Sequence, residues 1–217
     1  MSNLNDVISG ANLYNGVSFS FVADRFNIPN VAISLDNGNL QVPAGVYFNG
    51  DFTFIAWVYF RTISDQMRIF DFGNGAANEN VVFLVGSANS FCLDTYNGSL
   101  SSWWTNLNNR CYGPGINLNQ WYHVAIVLKG TNALFYLNGV RIKTGTFFSP
   151  NNVQRASNFI GKSNWESQPN TNAIYDEIKI YRGAMSDDQV LADYNTLNNI
   201  GELKHCFQSG DACQKLN

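Results

Sequence analysis

Charge is scarce in this chain. Of its 217 residues, 13 are Lys or Arg and 16 are Asp or Glu, which gives a net charge of −3. The basic residues are scattered singly, so the clustered positive charge of a nucleic-acid-binding surface is missing. No stretch approaches the roughly 18 consecutive apolar residues of a transmembrane helix. The first ten residues also lack the basic and apolar regions of a signal peptide. We therefore expect a protein without a membrane span, which either is not exported or has lost a leader.

Glutamate is rarer still, and this argues against glycoside hydrolysis. The four glutamates are Glu79, Glu166, Glu177 and Glu202, and no two lie within six positions of each other. Retaining glycosidases need two carboxyl groups about 5–5.5 Å apart, and inverting ones about 6.5–9.5 Å. No Gly-x-Ser-x-Gly nucleophile motif is present either. The sequence predicts that the protein is not an enzyme, and a glycoside hydrolase is the less favoured alternative.

Cysteine is limited to four residues, Cys92, Cys111, Cys206 and Cys213. An even count fits a disulfide framework with three possible pairings. Proximity in the sequence favours Cys92–Cys111 and Cys206–Cys213. No C-x2-C spacing indicates structural zinc, and four free thiols in a cytosolic protein are the alternative. Asn97-Gly98-Ser99 is a glycosylation sequon, which adds to the case for an extracellular protein.

What the chain has in abundance is β-forming sequence. Residues 120–142 contain three apolar runs, Trp121–Leu128, Leu134–Leu137 and Val140–Ile142. Asn138-Gly139 separates the last two, and this pair favours a type I′ hairpin turn because both residues tolerate positive φ. The runs are hydrophobic on both faces, which is typical of strands covered on both sides. The prediction is an all-β, two-sheet antiparallel β-sandwich, with Trp57 and Trp121 in its core.

Other segments fit the same architecture. A turn is predicted over Asp36–Asn39, between strands Val31–Leu35 and Leu40–Val42. Additional strands are predicted at 52–60, 68–72, 81–85, 91–96, 159–160 and 173–181. One short C-terminal helix is expected after Ser186, since Ser186 and Gln189 have the spacing of a capping box. His123 alternates with Trp121 and Ala125, which favours a buried core histidine over a metal ligand.

Several of these segments together resemble the laminin-G-like, concanavalin A-like lectin/glucanase jelly-roll family, especially its pentraxin-like variant. The resemblance covers about residues 22 to 195 and rests on five segments in the family's order: Gly50–Val58, Arg68–Gly73, Gln120–Ala125, Leu137–Gly139 and Tyr175–Ser186. It implies a concanavalin A-like jelly roll with loops at the rims. Hydrolases of this fold resemble E-x-D-x-x-E on one strand, and that motif is missing here.

The resemblance also implies a function and a setting. Such modules are usually extracellular or at the cell surface, and they bind glycans or proteins, often with calcium. The expectation is a non-catalytic recognition or adhesion module that binds carbohydrate and belongs to a larger multidomain protein. The alternative is a protein–protein adhesion or structural domain without sugar binding. Residues 1–200 are assigned to the β-sandwich, and residues 201–217 to a cysteine-containing appendage or the start of a further module.

Asp176 is the candidate metal ligand. If its strand alternates regularly, Ile174, Asp176, Ile178 and Ile180 share one face. A carboxylate in that apolar row needs a charged partner or a metal, and Ca²⁺ prefers carboxylate and carbonyl oxygens. The resemblance adds the calcium aspartate of related lectins and hydrolases. The expected co-ligands of this structural ion are backbone carbonyls in the Asp24 loop and the Asp36–Asn39 turn, and the side chains of Asp24 and Asp36 are further candidate ligands. The alternative is that Asp176 accepts hydrogen bonds from Arg25 or from backbone amides.

A sugar-binding surface needs exposed aromatic rings with polar groups beside them. The region between Cys92 and Cys111 supplies this mixture, and Trp165 stands in a second polar loop. The candidate ligand-binding residues are Trp103, Trp104, Tyr96, Tyr112, Arg110 and Trp165. The alternative is that these aromatic side chains fill gaps beneath a long loop.

Overall fold

The structure is a computed structural model that describes residues 3–6, 10–102, 111–113 and 115–195. Within this part of the chain it is mainly β, with a short 3-10 turn at Ser87–Asn89 and an α-helix, α1, at residues 187–195. None of the helices described is long and apolar enough to cross a membrane. The strands are β1 Tyr14–Val22, β2 Ala32–Val42, β3 Phe52–Phe60, β4 Met67–Gly73, β5 Val81–Val85, β6 Phe91–Asn97, β7 Leu100–Ser101, β8 Cys111–Tyr112, β9 Trp121–Lys129, β10 Asn132–Leu137, β11 Val140–Thr146, β12 Ser157–Ile160 and β13 Thr171–Arg182.

Hydrogen bonds join these strands in one continuous antiparallel sheet. Its order is β11-β10-β9-β3-β13-β2-β12-β4-β5-β6-β7, with β1 beside β2 and β8 beside β6. The sequence predicts two separate sheets. In the described residues, β13 pairs with both β3 and β2, and β12 pairs with both β2 and β4, so the two halves are linked edge to edge.

The sheet is strongly curled around a single core. Phe54 on β3 and Phe83 on β5 are five strand positions apart, which in a flat sheet is about 24 Å at the usual strand spacing. Their ring centroids are 5.9 Å apart. Near the two ends of the path, Tyr112 on β8 packs against Phe135 on β10 at 4.7 Å. The result is jelly-roll-like: two halves of one sheet face each other across buried side chains.

The predicted hairpin is confirmed. Between β10 and β11, Asn138 has φ of 51° and Gly139 has φ of 77°, so both residues have the positive φ that a type I′ turn needs. Trp57 is buried at 4 % exposure. Trp121 is only partly buried, and its ring lies 5.6 Å from that of Tyr59.

The turn predicted over Asp36–Asn39 is wrong. Residues 32–42 form one strand, β2, with a bulge where Asp36 and Asn37 are exposed and Asn37 has φ of 50°. Strand β1 shifts register against this bulge. Gly38 permits the close approach, because a Cβ there would lie 2.4 Å from the carbonyl oxygens of Val17 and Ser18. The turn-forming residues therefore form a bulge that bends the strand instead of ending it.

Helix α1 begins as predicted. The Gln189 backbone N–H donates to Ser186 Oγ at 3.3 Å, and the Ser186 backbone N–H donates to Gln189 Oε1 at 2.8 Å. This is the reciprocal pattern of a capping box. Val190 is fully buried against the face of β3, β9 and β10 that points away from the main core. The helix therefore covers the outer side of one half of the sheet.

Candidate functional site

The other half of the sheet, formed by β4, β5 and β6, has an unusual outer face. On β5, Val81, Phe83 and Val85 point into the main core, while Val82 and Leu84 point outward. On β6, alternation likewise sends Cys92, Asp94 and Tyr96 outward. Loop 163–168 crosses this face and places the partly buried Trp165 over an apolar patch made of Val82, Leu84 and Cys92.

Between this loop and the strands is a small open cleft of about 240 Å³, which we call the outer-face cleft. Its volume is below the roughly 300–1,000 Å³ that is typical of sites for drug-sized ligands, so it suits a ligand about the size of a single ring. Apolar, aromatic, amide and charged side chains all line it: Arg68, Val82, Leu84, Asp94, Tyr96, Trp165 and Gln168.

Two aromatic rings form one wall of the cleft. The ring centroids of Tyr96 and Trp165 lie 6.0 Å apart at an interplanar angle of 44°. Burial and the neighbouring Asp94 carboxylate raise the pKa of Tyr96 to about 12, so its hydroxyl stays protonated at neutral pH. Asp94 itself accepts hydrogen bonds from Ser101 Oγ at 2.9 Å and Ser102 Oγ at 2.8 Å. These bonds hold strand β7 beside the cleft.

Arg68 supplies the positive charge of the cleft. Its guanidinium donates to the Gln66 carbonyl and to Gln168 Oε1. It also stands 5.6 Å from the Trp165 ring in a cation–π arrangement. Burial lowers the pKa of Arg68, and the nearby Asp71 carboxylate opposes that shift. The side chain is 3 % exposed, so it acts mainly on the residues that surround it.

The structure brings together two of the six predicted ligand-binding residues, Tyr96 and Trp165. Tyr96 and Tyr112 are both 6 % exposed, but Tyr112 faces the main core, where it packs against Phe135, whereas Tyr96 lines the outer-face cleft. Trp103, Trp104 and Arg110 lie outside the described residues. The sequence analysis did not select Arg68, Asp94 or Gln168. The first two carried a usable signal, because each is a charged residue within a strand that is mostly apolar and buried.

The predicted Cys92–Cys111 disulfide is confirmed. Its S–S distance is 2.01 Å, and it joins β6 to β8. Cys92 is fully buried in the apolar patch beneath Trp165. The disulfide therefore anchors the chain at residue 111 to the strand that lines the cleft. Cys206 and Cys213 lie outside the described residues, as does the whole proposed appendage 201–217.

Asp176 does not share a face with the isoleucines that follow it, which corrects the sequence analysis. The register of β13 against β3 shifts between Asp176 and Lys179, and Glu177 has φ of 52°. This bulge reverses the alternation, so Tyr175 and Ile178 both pack on the main core while Asp176 points to the outer face. Regular alternation fails here because the bulge inserts an extra residue into the strand.

Asp176 is nevertheless buried, and Arg25 meets its charge. Arg25 Nη1 donates to Asp176 Oδ2 at 2.8 Å, and both side chains are at most 6 % exposed. The backbone N–H of Glu177 donates to Asp176 Oδ1 at 2.9 Å. Burial raises the pKa of Asp176, and Arg25 opposes that shift. The guanidinium stacks on Trp57 at 4.4 Å. Arg25 thus stands where the sequence analysis placed a metal cation.

The other two predicted metal ligands, Asp24 and Asp36, differ in their surroundings: the first is hydrogen-bonded to the backbone and the second is exposed. Asp24 Oδ1 accepts hydrogen bonds from the backbone N–H groups of Phe26 and Ile28, each at 2.9 Å. Asp36 is exposed on the β2 bulge. The described residues contain no group of three His, Cys, Asp or Glu side chains that could hold a metal ion. The carboxylates of Asp24, Asp36 and Asp176 are therefore not grouped around one point, and calcium stays a prediction.

His123 lies under helix α1 and links it to the sheet. It is fully buried, its ring packs edge-on against Trp57, and its Nε2 lies 3.2 Å from Asp193 Oδ1. The other Asp193 oxygen accepts a hydrogen bond from Lys179 Nζ at 2.9 Å. Burial lowers the pKa of His123. It is therefore a neutral histidine that fastens a helix to the sheet, in agreement with the predicted core role.

Comparison with known proteins places this architecture in a family. The profile of the Laminin_G_3 family, described as the concanavalin A-like lectin/glucanases superfamily, matches residues 34–191. The chain belongs to this superfamily. No curated protein matches the sequence.

Solved structures share the fold of this Laminin_G_3 domain. Domain 4 of AbnA, a GH43 extracellular arabinanase from Geobacillus stearothermophilus solved with arabinotriose, has 20% identity and a TM-score of 0.61, and the match covers 89% of this chain and 93% of that one. The botulinum neurotoxin serotype G binding domain has 14% identity, a TM-score of 0.64, and coverage of 88% and 48%. A Trypanosoma rangeli sialidase with sialic acid has 11% identity, a TM-score of 0.59, and coverage of 88% and 30%. The chain thus spans about half of the toxin domain and under a third of the sialidase. At these identities the likeness concerns the fold.

Proposed function

We propose that this protein is a non-catalytic carbohydrate-binding domain that holds a sugar ring in the outer-face cleft. The observation that carries the proposal is the Tyr96–Trp165 pair, with centroids 6.0 Å apart, beside the polar groups of Arg68, Asp94 and Gln168. A sugar presents apolar C–H faces and hydroxyl edges. Aromatic side chains with polar tips and neighbours suit such a mixed surface.

The binding role is favoured over catalysis by the state of the carboxylates near the cleft. Asp94 accepts hydrogen bonds from two serines, and Asp71, behind it on β4, has no exposed surface and accepts bonds from amide groups. General acid–base catalysis needs a carboxyl group within hydrogen-bond reach of the substrate. Two carboxylates that are bound to the protein itself serve structure better than proton transfer.

The setting of the protein is also part of the proposal. The Cys92–Cys111 disulfide is typical of an oxidising compartment, which favours an extracellular or cell-surface location. The arabinanase domain of the same fold, solved with arabinotriose, makes arabinotriose a sensible first probe. We therefore place the domain within a larger extracellular protein that it directs to a glycan. Adhesion to a protein partner is the alternative.

The test is binding of oligosaccharides to the wild-type protein and to Trp165→Ala. A glycan array, followed by calorimetry with arabinotriose and with each array hit, is expected to show binding that weakens by roughly tenfold in the variant, because the loss of a stacked ring costs about 1 kcal/mol or more. Trp121→Ala is the matched control, since Trp121 is also partly buried but packs on Tyr59 in the other half of the sheet.

Three results would argue against this function. Equal affinities of wild type and Trp165→Ala would show that the sugar binds at a site other than the outer-face cleft. No binding across the array would favour a protein partner. Hydrolysis of a chromogenic β-glucan would replace the binding role with a catalytic one.

A further inference from the structure

Asp71 is a fully buried carboxylate on β4, next to the cleft but not in its lining. Asn80 Nδ2 and Asn164 Nδ2 each donate to its Oδ1 at 2.8 Å, and the Asn164 backbone N–H donates to its Oδ2 at 2.9 Å. Burial raises the pKa of Asp71, and Arg68 and these donors oppose the shift. A buried charge costs several kcal/mol unless such bonds satisfy it. Two of the three bonds come from the residue that precedes Trp165.

Arg68, on the same strand, holds the opposite end of that loop. Its Nη2 donates to Gln168 Oε1. Within the loop, the Trp165 N–H donates to Ser163 Oγ at 3.0 Å, and the Gln168 N–H donates to the Trp165 carbonyl at 3.2 Å. The loop is therefore a closed turn, and two side chains three residues apart on one rigid strand fix its two ends.

We infer that Asp71 and Arg68 are positioning residues that hold the Trp165 ring over the apolar patch and beside Tyr96, so that the ring can stack on a sugar in the outer-face cleft. The inference rests on the proposed function for its ligand, but the placement of Trp165 can be measured without one. Asp71 has no exposed surface, so it acts on a ligand only through the loop. A side chain that merely stabilised the fold would leave the ring position and the affinity of the folded protein unchanged.

The principal variant is Asp71→Asn, which keeps the shape of the side chain. It replaces one acceptor oxygen with an NH2 donor, which then faces the N–H groups that had donated to that oxygen. Fluorine NMR of protein labelled with 5-fluorotryptophan reports each of the five tryptophans separately, and Trp165→Phe identifies the Trp165 signal. We expect Asp71→Asn to shift or broaden the Trp165 signal while those of Trp57 and Trp121 stay in place. We also expect roughly tenfold weaker binding of the oligosaccharide selected by the array.

The matched control is Asn80→Ala, which removes an amide donor to Asp71 that lies outside the loop. It is expected to lower the melting temperature without moving the Trp165 signal or the affinity. If Asp71→Asn does not fold, Asn164→Ala takes its place, because it removes a loop donor and leaves the carboxylate intact. In a Trp165→Ala background, Asp71→Asn should have no further effect on affinity, since both changes act through one ring.

The outcomes separate the two proposals. If Asp71→Asn and Asn164→Ala both leave the Trp165 signal and the affinity unchanged, the positioning role is overturned. An additional loss of affinity in the Trp165→Ala background would also overturn it. If Asp71→Asn displaces the Trp165 signal but the wild-type protein binds no sugar, the positioning role is supported and the proposed function is wrong.

Discussion

At the scale of single residues, charged side chains in the described part of the chain have specific partners. The buried Asp176 is bound by Arg25, and the half-buried Asp193 is bound by both His123 and Lys179. The Arg25–Asp176 and His123–Asp193 contacts join residues that are 151 and 70 positions apart. Removing one member of the Arg25–Asp176 pair leaves the other buried and unpaired, which is far more costly than the pair is stabilising.

His123 makes the stability of the fold depend on pH. Burial lowers its pKa below the ordinary 6.5, although Asp193 opposes the shift, so the folded state binds a proton less readily than the unfolded state. Its contribution is complete above pH 6.5 and is lost as the pH falls through the window below that value. The loss is at most about 1.4 kcal/mol per pH unit.

The measurement is the free energy of unfolding between pH 7.5 and pH 5.5 for wild type and His123→Gln. The wild-type value is expected to fall more steeply towards acid than that of the variant. Burial raises the pKa values of Asp71 and Asp176, which act in the opposite sense, so the difference between the two proteins is the quantity that counts. Parallel pH profiles would show that His123 does not titrate in this way.

At the scale of elements, the sheet is shaped by its irregularities. The β2 bulge at Asp36–Gly38 accommodates β1, and the β13 bulge at Glu177 turns Asp176 away from the core. A bulge increases local twist and re-aims side chains. Both irregularities lie in strands near the middle of the sheet order, where the sheet curls so that β3 and β5 face each other.

The Cys92–Cys111 disulfide fastens the element pair β6 and β8. It closes a segment of sequence separation 19, for which loop-closure entropy predicts roughly 3 kcal/mol of stabilisation. We expect Cys92→Ala/Cys111→Ala to lower the free energy of unfolding by about that amount and to weaken sugar binding, because Cys92 supports Trp165. Urea unfolding measures the first effect and calorimetry the second.

The double variant Cys206→Ala/Cys213→Ala is the matched control for this disulfide, and it is expected to leave sugar binding unchanged. If the two double variants had equal effects on affinity, the disulfide beneath Trp165 would have no special part in the site.

At the scale of the whole molecule, the question is which cation ties the amino-terminal segment to the sheet. Arg25 fills that role in the structure, with Asp176 as its partner. The sequence analysis predicts calcium at the same carboxylate, with EDTA lowering the melting temperature of wild type and Asp176→Ala removing the difference. Since Ca²⁺ and the Arg25 guanidinium would compete for the same carboxylate, in which Oδ2 already accepts from Arg25 and Oδ1 from the Glu177 N–H, one melting experiment distinguishes them.

The decisive comparison adds Arg25→Met, which keeps an apolar stem over Trp57. If Arg25 is the partner, this variant melts lower than wild type by the several degrees that a loss of about 3–5 kcal/mol implies, and EDTA has no effect on either protein. Lower melting of wild type in EDTA would restore the calcium prediction. The predicted effect of Trp103→Ala and Trp104→Ala, weaker binding with little change in stability, stays a prediction as well.

The sequence by itself predicted the all-β class, the 138–139 turn and the helix cap, and it favoured the Cys92–Cys111 pairing. Each of these depends on local chemistry: strands that are apolar on both faces, residues that tolerate positive φ, reciprocal Ser186–Gln189 bonds, and proximity in the chain. Only the tertiary structure decided that the strands form one curled sheet, that Asp176 meets Arg25, and that Asp71 holds the loop of Trp165. These depend on bulges that change register and on contacts between residues about 90 to 150 positions apart. Where loop 163–168 packs on the sheet depends on contacts with distant residues, and no local sequence pattern specifies those contacts.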